Sequence, residues 1–198
     1  MGAVPDRRGM VHVENSRSGL IRSSVGYHSV MPITEFSTLP DSSRVWVYGA
    51  DRAVASDAAK TLLSATDAFL SQWKAHGVDL HSARDWSEDR FLTIAVDQEQ
   101  EGASGCSIDV LFRTLKGLER EVGAGLVTSG LVYFRGRDGE IRAVTRDEFG
   151  ELASKGEVDG DTEVFDLSVT TLGEWRSRFK SRAADSWHAS LMPERAKA

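Results

Sequence analysis

The chain has 198 residues, with 24 Lys and Arg against 30 Asp and Glu, a net charge of -6 and 40% hydrophobic residues. An acidic total with interspersed signs argues against the basic face of a nucleic-acid binder, and a single cysteine excludes an internal disulfide. No apolar run approaches the roughly 18–20 residues of a membrane span, and no apolar stretch of a signal peptide follows Arg7 and Arg8. The expectation is therefore a cytoplasmic protein without a nucleic-acid or membrane partner.

Residues 1–36 mix Gly, Ser, Arg and Pro without a period of 2 or 3.6, which reads as a disordered tail. Met31 is an alternative translation start, which an intact mass would test. From Pro40 to Pro193 no proline intervenes, so one compact unit can occupy the whole stretch. Arg44-Val45-Trp46-Val47-Tyr48 predicts a strand. Val54, Ala58, Leu62, Ala65, Phe69 and Trp73 recur at helical spacing, with Asp51 or Ser56 as cap and Gly77 as stop. A weak strand near 79–86, the polar turn Ser87-Glu88-Asp89 and a strong strand at Phe91–Val96 follow.

After the small-residue turn 102–105, Ile108, Leu111, Phe112, Leu115, Leu118 and Val122 form one helical stripe, ended by Gly123. Leu131–Phe134 predicts a strand, and Asp138-Gly139 turns it into Ile141–Val144. Thr145 with Glu148, and Thr171 with Glu174, have the spacing of capping boxes. Thr162–Phe165 predicts a short strand between the two helices. The order through Phe134 is β-α-β-β-α-β, which predicts an α+β, ferredoxin-like core over 40–136. A C-terminal hairpin and helix extension, 137–192, would pack on it.

The chemistry-bearing segment is Gly102-Ala103-Ser104-Gly105-Cys106-Ser107-Ile108-Asp109. A small-residue turn into a helix leaves backbone N–H groups open and places a positive dipole end beside them, which suits an anion. Gly102, Ser104, Gly105 and Ser107 are then ligand-binding candidates, for a phosphorylated or other anionic small molecule. The same setting can lower a thiol pKa, so Cys106 is a candidate nucleophile or redox thiol. Its base would be His188 from Asp185-Ser186-Trp187-His188, with Asp109 or Asp185 orienting the imidazole. Set against this, Ser104 or Ser107 can simply cap the helix. Cys106 can be a buried apolar residue, Trp187 can anchor the tail, and His188 can lie on the surface.

His76 and His81 do not share a helix face, so a zinc site has little support. Asp97, Glu99 and Glu101 read as a solvated acidic loop rather than a cation site. Trp46, Trp73 and Trp86 read as core. No G-x-x-x-x-G-K-[ST], G-x-G-x-x-G or G-x-S-x-G occurs, so no cofactor is implied.

Ser43-Arg44-Val45-Trp46, Trp73 with Ala75-His76-Gly77, Arg90-Phe91, 102–109, Asp161-Thr162 with Val164-Phe165, and 185–188 together resemble a small bacterial family. Its members are often labelled "ABC transporter ATPase". The resemblance covers about residues 40–192. It implies that 102–109 and 185–188 are hallmark segments, and it favours a start near Met31. It does not carry the labelled activity to this chain, which lacks the phosphate-cradling loop and lysine. Residues 139–165, with Glu148-Phe149, Leu152, Gly156, Val158 and Asp161-Thr162, are similar in spacing to GYF-type modules. That likeness implies a protein partner bound through an aromatic surface.

Overall fold

A computed structural model describes residues 34–99 and 101–194. The tail predicted over 1–36 therefore lies, up to residue 33, outside the described residues. Its last residues are built into the fold. Phe36–Thr38 makes a single 3-10 turn, and the Phe36 ring meets Trp175 edge-on at 5.1 Å.

The first sheet is antiparallel, in the order β1 (Arg44–Gly49), β5 (Phe91–Val96), β4 (Ser82–Ser87). Trp46 pairs with Ile94, and Asp85 pairs with Thr93. The turn between β4 and β5 holds Glu88 and Asp89 at positive φ (57° and 49°), and Arg90 N donates to Ser87 O at 3.1 Å. Helix α1 (Ser56–Leu70) links β1 to β4 through a two-residue-strand hairpin, β2 (Lys74–Ala75) and β3 (Val78–Asp79). Trp73, predicted on the helix, lies beyond its end. Its indole nevertheless packs in the core and donates to Ser107 O at 3.0 Å. Helix α2 (Gly105–Val122) packs beside α1 and ends at Gly123, whose φ of 73° favours glycine.

Every residue of β5 is buried because both of its faces are covered. Leu92, Ile94 and Val96 join the cluster under α1 and α2. Phe91 and Ala95 point the other way, into apolar clusters shared with the last third of the chain. This is the alternation that a central strand between two layers requires.

That last third builds a second antiparallel sheet, in the order β7 (Ile141–Thr145), β6 (Leu131–Arg135), β8 (Glu163–Phe165), β9 (Lys180–Arg182). One face carries α3 (Arg146–Ser154), with Phe134 edge-on to Phe149 at 5.5 Å. The other face presents Tyr133 and Phe165 to Phe91 of the first sheet, with ring centroids at 5.3 and 4.6 Å. Such ring pairs contribute about 0.5–1.5 kcal/mol each beyond the area they bury. Both predicted capping boxes are closed, at Thr145 with Glu148 and, ahead of α4 (Leu172–Arg178), at Thr171 with Glu174.

The molecule is thus mixed α+β, with several antiparallel sheets. Its first three sheet strands follow the order and direction expected of the ferredoxin-like core. The fourth, β6, does not flank β1. Its two edges are taken by β7, through the tight turn at Gly139, and by β8, so it has no edge left to offer. The residues beside β1 are instead 170–172. Val45 N donates to Thr170 O at 2.9 Å, and Leu172 N donates to Ser43 O at 2.8 Å. No helix among the described residues is long and apolar enough to cross a membrane.

Candidate functional site

The turn at 102–109 begins α2 as its sequence predicts. Ser104 is the N-cap, accepting from Ser107 N at 3.3 Å. The Ser107 hydroxyl donates back to Ser104 O at 2.9 Å, and Ser107 is buried, so both serines serve the helix start. Gly102 and Gly105 are not packing requirements. Open space surrounds Gly105, and the nearest atom to a side chain at Gly102 would be 3.8 Å away. Cys106 is exposed, so it is not the buried apolar residue of the structural alternative. Phe112, predicted on the core stripe, is 47% exposed, while Leu111 and Leu115 are fully buried.

His188 lies elsewhere. It is completely buried, which corrects the surface placement, and its neighbours are Phe149 at 6.0 Å and Trp187, stacked at 3.9 Å. The Ser186 hydroxyl sits 2.6 Å from His188 Nδ1 and accepts from His188 N at 3.2 Å. Nε2 has no hydrogen-bond partner. Burial pulls the imidazole down to about 4, with Arg146 pushing the same way and Asp166 opposing. Asp185 is bound by Arg182 at 2.8 Å, and Asp109 stays on the outward side of α2. No hydrogen bond among the described residues joins Cys106 to His188, Asp109 or Asp185. Asp185-Ser186-Trp187-His188 instead forms a lock. The Trp187 indole donates to Asp166 Oδ1 at 3.0 Å, and that buried carboxylate also accepts from Ser168 N at 2.9 Å and from the Ser168 hydroxyl.

Asp97 is buried, holding Glu99 N at 2.9 Å and facing His81 Nδ1 at 3.4 Å, so it is not part of a solvated loop. No group of three or more His, Cys, Asp or Glu among the described residues is arranged to hold a metal ion.

A different place combines a cavity with unpartnered polar atoms. A cleft of about 770 Å³ runs along the outer edge of β4. The segment Thr34–Ser37 forms one wall. Trp175 and Arg176 of α4 form another, and Asp67 of α1 closes a third side with Arg84 and Asp85 of β4. Alternation along β4 and β5 puts Asp85, Ser87 and Thr93 on the same face as Ala83 and Ala95, turned away from α1 and α2. Asp85 Oδ2 and Trp175 Nε1 are both buried and make no hydrogen bond, and neither do Ser87 Oγ and Thr93 Oγ1 on the same sheet face. Buried polar groups are nearly always paired, so such a cluster calls for a physical cause. Burial raises the Asp85 carboxyl above the ordinary range, opposed by the nearby Ser87 hydroxyl and the charges of Arg84 and Lys180. The Ser87 hydroxyl and the Trp86 backbone are close enough to favour the ionised form, while Asp85 Oδ2 and Ser87 Oγ are left without a hydrogen bond of good geometry.

Compared with family models, curated proteins and solved structures, the chain matches none. The cleft residues did not stand out in sequence. Their one signal is the polar pair Asp85 and Ser87, one in the segment expected as a weak strand near 79–86 and the other in the turn expected at Ser87-Glu88-Asp89. That α4 covers this face is a long-range fact which no local pattern carries.

Proposed function

We propose that this protein is a non-catalytic ligand-binding protein and that its ligand occupies the cleft beside β4. One observation carries the reading: a cleft of about 770 Å³ is lined by Asp85 and Trp175, whose Oδ2 and Nε1 atoms are buried without a hydrogen-bond partner. A cavity with a few converging polar groups and a perturbed titrating residue is the usual form of a binding site. No complete catalytic constellation accompanies it, because no histidine, cysteine or lysine among the described residues lines the cleft. The test is nuclear magnetic resonance of the indole N–H groups, with the Trp175 signal assigned by its loss in Trp175→Phe. Fragments that bind the cleft shift that signal. A broad fragment set that moves other signals and leaves Trp175 still would overturn the reading.

The turn at 102–109 supports a second reading, a site for a phosphorylated or other small anion. The N–H groups of Gly105 and Cys106 meet no acceptor among the described residues, and open space stands over Gly105. With Cys106 as a nucleophile, the same N–H groups would hold an oxyanion. The base would then have to come from a group other than the buried His188. Inorganic phosphate that raised the melting temperature in wild type but not in Ser104→Ala would favour the anion site.

A further inference from the structure

We infer that the ligand of the β4 cleft is a small organic cation, an amine or guanidine that also carries an oxygen acceptor. The inference rests on the cleft being the binding site. It follows from which charges around the cleft are already used. Arg84 is held by Asp67 through two bonds, at 2.6 and 2.7 Å. Arg176 is bound by Asp41 and by the carbonyls of Ser37 and Leu39, each at 3.0 Å. Lys180, which also faces Asp85, is paired with Glu88.

What remains is negative. Asp85 has no bonded cation, and Glu35 is met only by the Ser37 hydroxyl at 2.7 Å. An anion entering here would meet two carboxylates and no free cation among the described residues, whereas an ammonium or guanidinium would supply the missing partner. The walls agree with this. Phe36 and Trp175 put aromatic surface beside the carboxylates, a surface that attracts cations and repels anions. The Trp175 N–H is a donor, so a cation alone would leave it unsatisfied, and an ether, hydroxyl or carbonyl oxygen on the ligand would complete it. Because burial raises the Asp85 carboxyl, acid would neutralise the partner that the cation needs, and affinity should fall on acidification.

The experiment titrates the full chain with agmatine, ethanolamine, spermidine, acetamide and inorganic phosphate. It reads the Trp175 indole signal and, by calorimetry, the dissociation constant. The expected result is that at least one amine shifts Trp175, binds at least tenfold more weakly in Asp85→Asn, and weakens in wild type as the pH falls toward the carboxylate range. Acetamide and phosphate should bind more weakly or not at all. If acetamide shifts Trp175 as strongly as every amine does, the cleft remains the site and the cation inference falls. If phosphate alone shifts it, the charge argument is wrong. If none of the five moves the signal, the cation inference falls, and the cleft reading itself stands or falls on the wider fragment set.

Discussion

Among the described residues a carboxylate and an indole come to one place twice, and the two places differ in their hydrogen bonds. At Asp166 and Trp187 the indole N–H reaches the carboxylate at 3.0 Å, and Ser168 supplies two further bonds. At Asp85 and Trp175, which both line the cleft, the Oδ2 and Nε1 atoms are buried and neither makes a hydrogen bond. The first arrangement is closed: it ties the end of the chain to β8 and α3 and leaves nothing for a ligand to do. The second is open, at the edge of a cavity. An unmade hydrogen bond in the interior costs more than a made one contributes, so a fold that keeps two together is carrying a local cost that a ligand can relieve.

The largest effect should come from opening the closed pair. Asp166→Ala would remove the acceptor of the half-buried Trp187 indole and of Ser168 N, a loss on the order of 1–3 kcal/mol. Urea denaturation should show a lower midpoint with an unchanged slope. A change below about 0.5 kcal/mol would mean that solvent reaches these groups and that the pair is not a lock.

The same lock predicts a dependence on pH. His188 is buried neutral, and its folded value of about 4 lies below the ordinary 6.5. Between those values the unfolded chain binds the proton and the folded chain does not. Stability should therefore be highest above pH 6.5 and fall as the pH drops toward 4, at no more than about 1.4 kcal/mol per pH unit from this group. His188→Gln should be less stable at pH 7 but flatter with pH. A variant that kept the wild-type slope would place the proton uptake on another group.

These two regions were legible in the sequence to different degrees. The capped helices, the Asp138-Gly139 hairpin and the Phe91–Val96 strand depend on neighbours within a few residues, and all formed where expected. The fate of β6 depended on competition between partners far apart in the chain, and local order could not decide it. Asp185-Ser186-Trp187-His188 was visible as a polar and aromatic cluster, but its partner Asp166 lies about 20 residues earlier in an unremarked loop. The prediction therefore attached His188 to Cys106 rather than to Phe149. The cleft was the least legible of all. It joins Phe36, Asp67, Asp85 and Trp175, four segments with no shared motif, and Phe36 fell within the segment expected to be disordered.

A smaller effect, and one of opposite sign, is expected at the open pair. Asp85→Asn removes a buried carboxylate that lacks a bonded cation and keeps its shape. The apo protein should become more stable at pH 7, on the order of 1 kcal/mol, or about 2–4 °C in melting temperature for a chain of this size. A site whose binding residue destabilises the empty fold is the usual trade between stability and function. Should Asp85→Asn destabilise the protein instead, the carboxylate has a structural partner, and the contrast with Asp166 is lost.

The smallest effect should be at Cys106. The thiol is exposed and makes no hydrogen bond, so Cys106→Ser should change stability by less than about 0.5 kcal/mol. His188→Gln and Asp185→Asn should also leave the alkylation rate of Cys106 as it is in wild type, measured at pH 8 where each variant is folded. Asp185 is occupied by Arg182, and His188 is enclosed by Phe149, Trp187 and Ser186. A rate that fell several-fold in either variant would mean that the lock opens and brings the imidazole to the thiol. That would make the two halves of the molecule one reactive site, and the division between a closed pair that holds the fold and an open pair that binds would have to be abandoned.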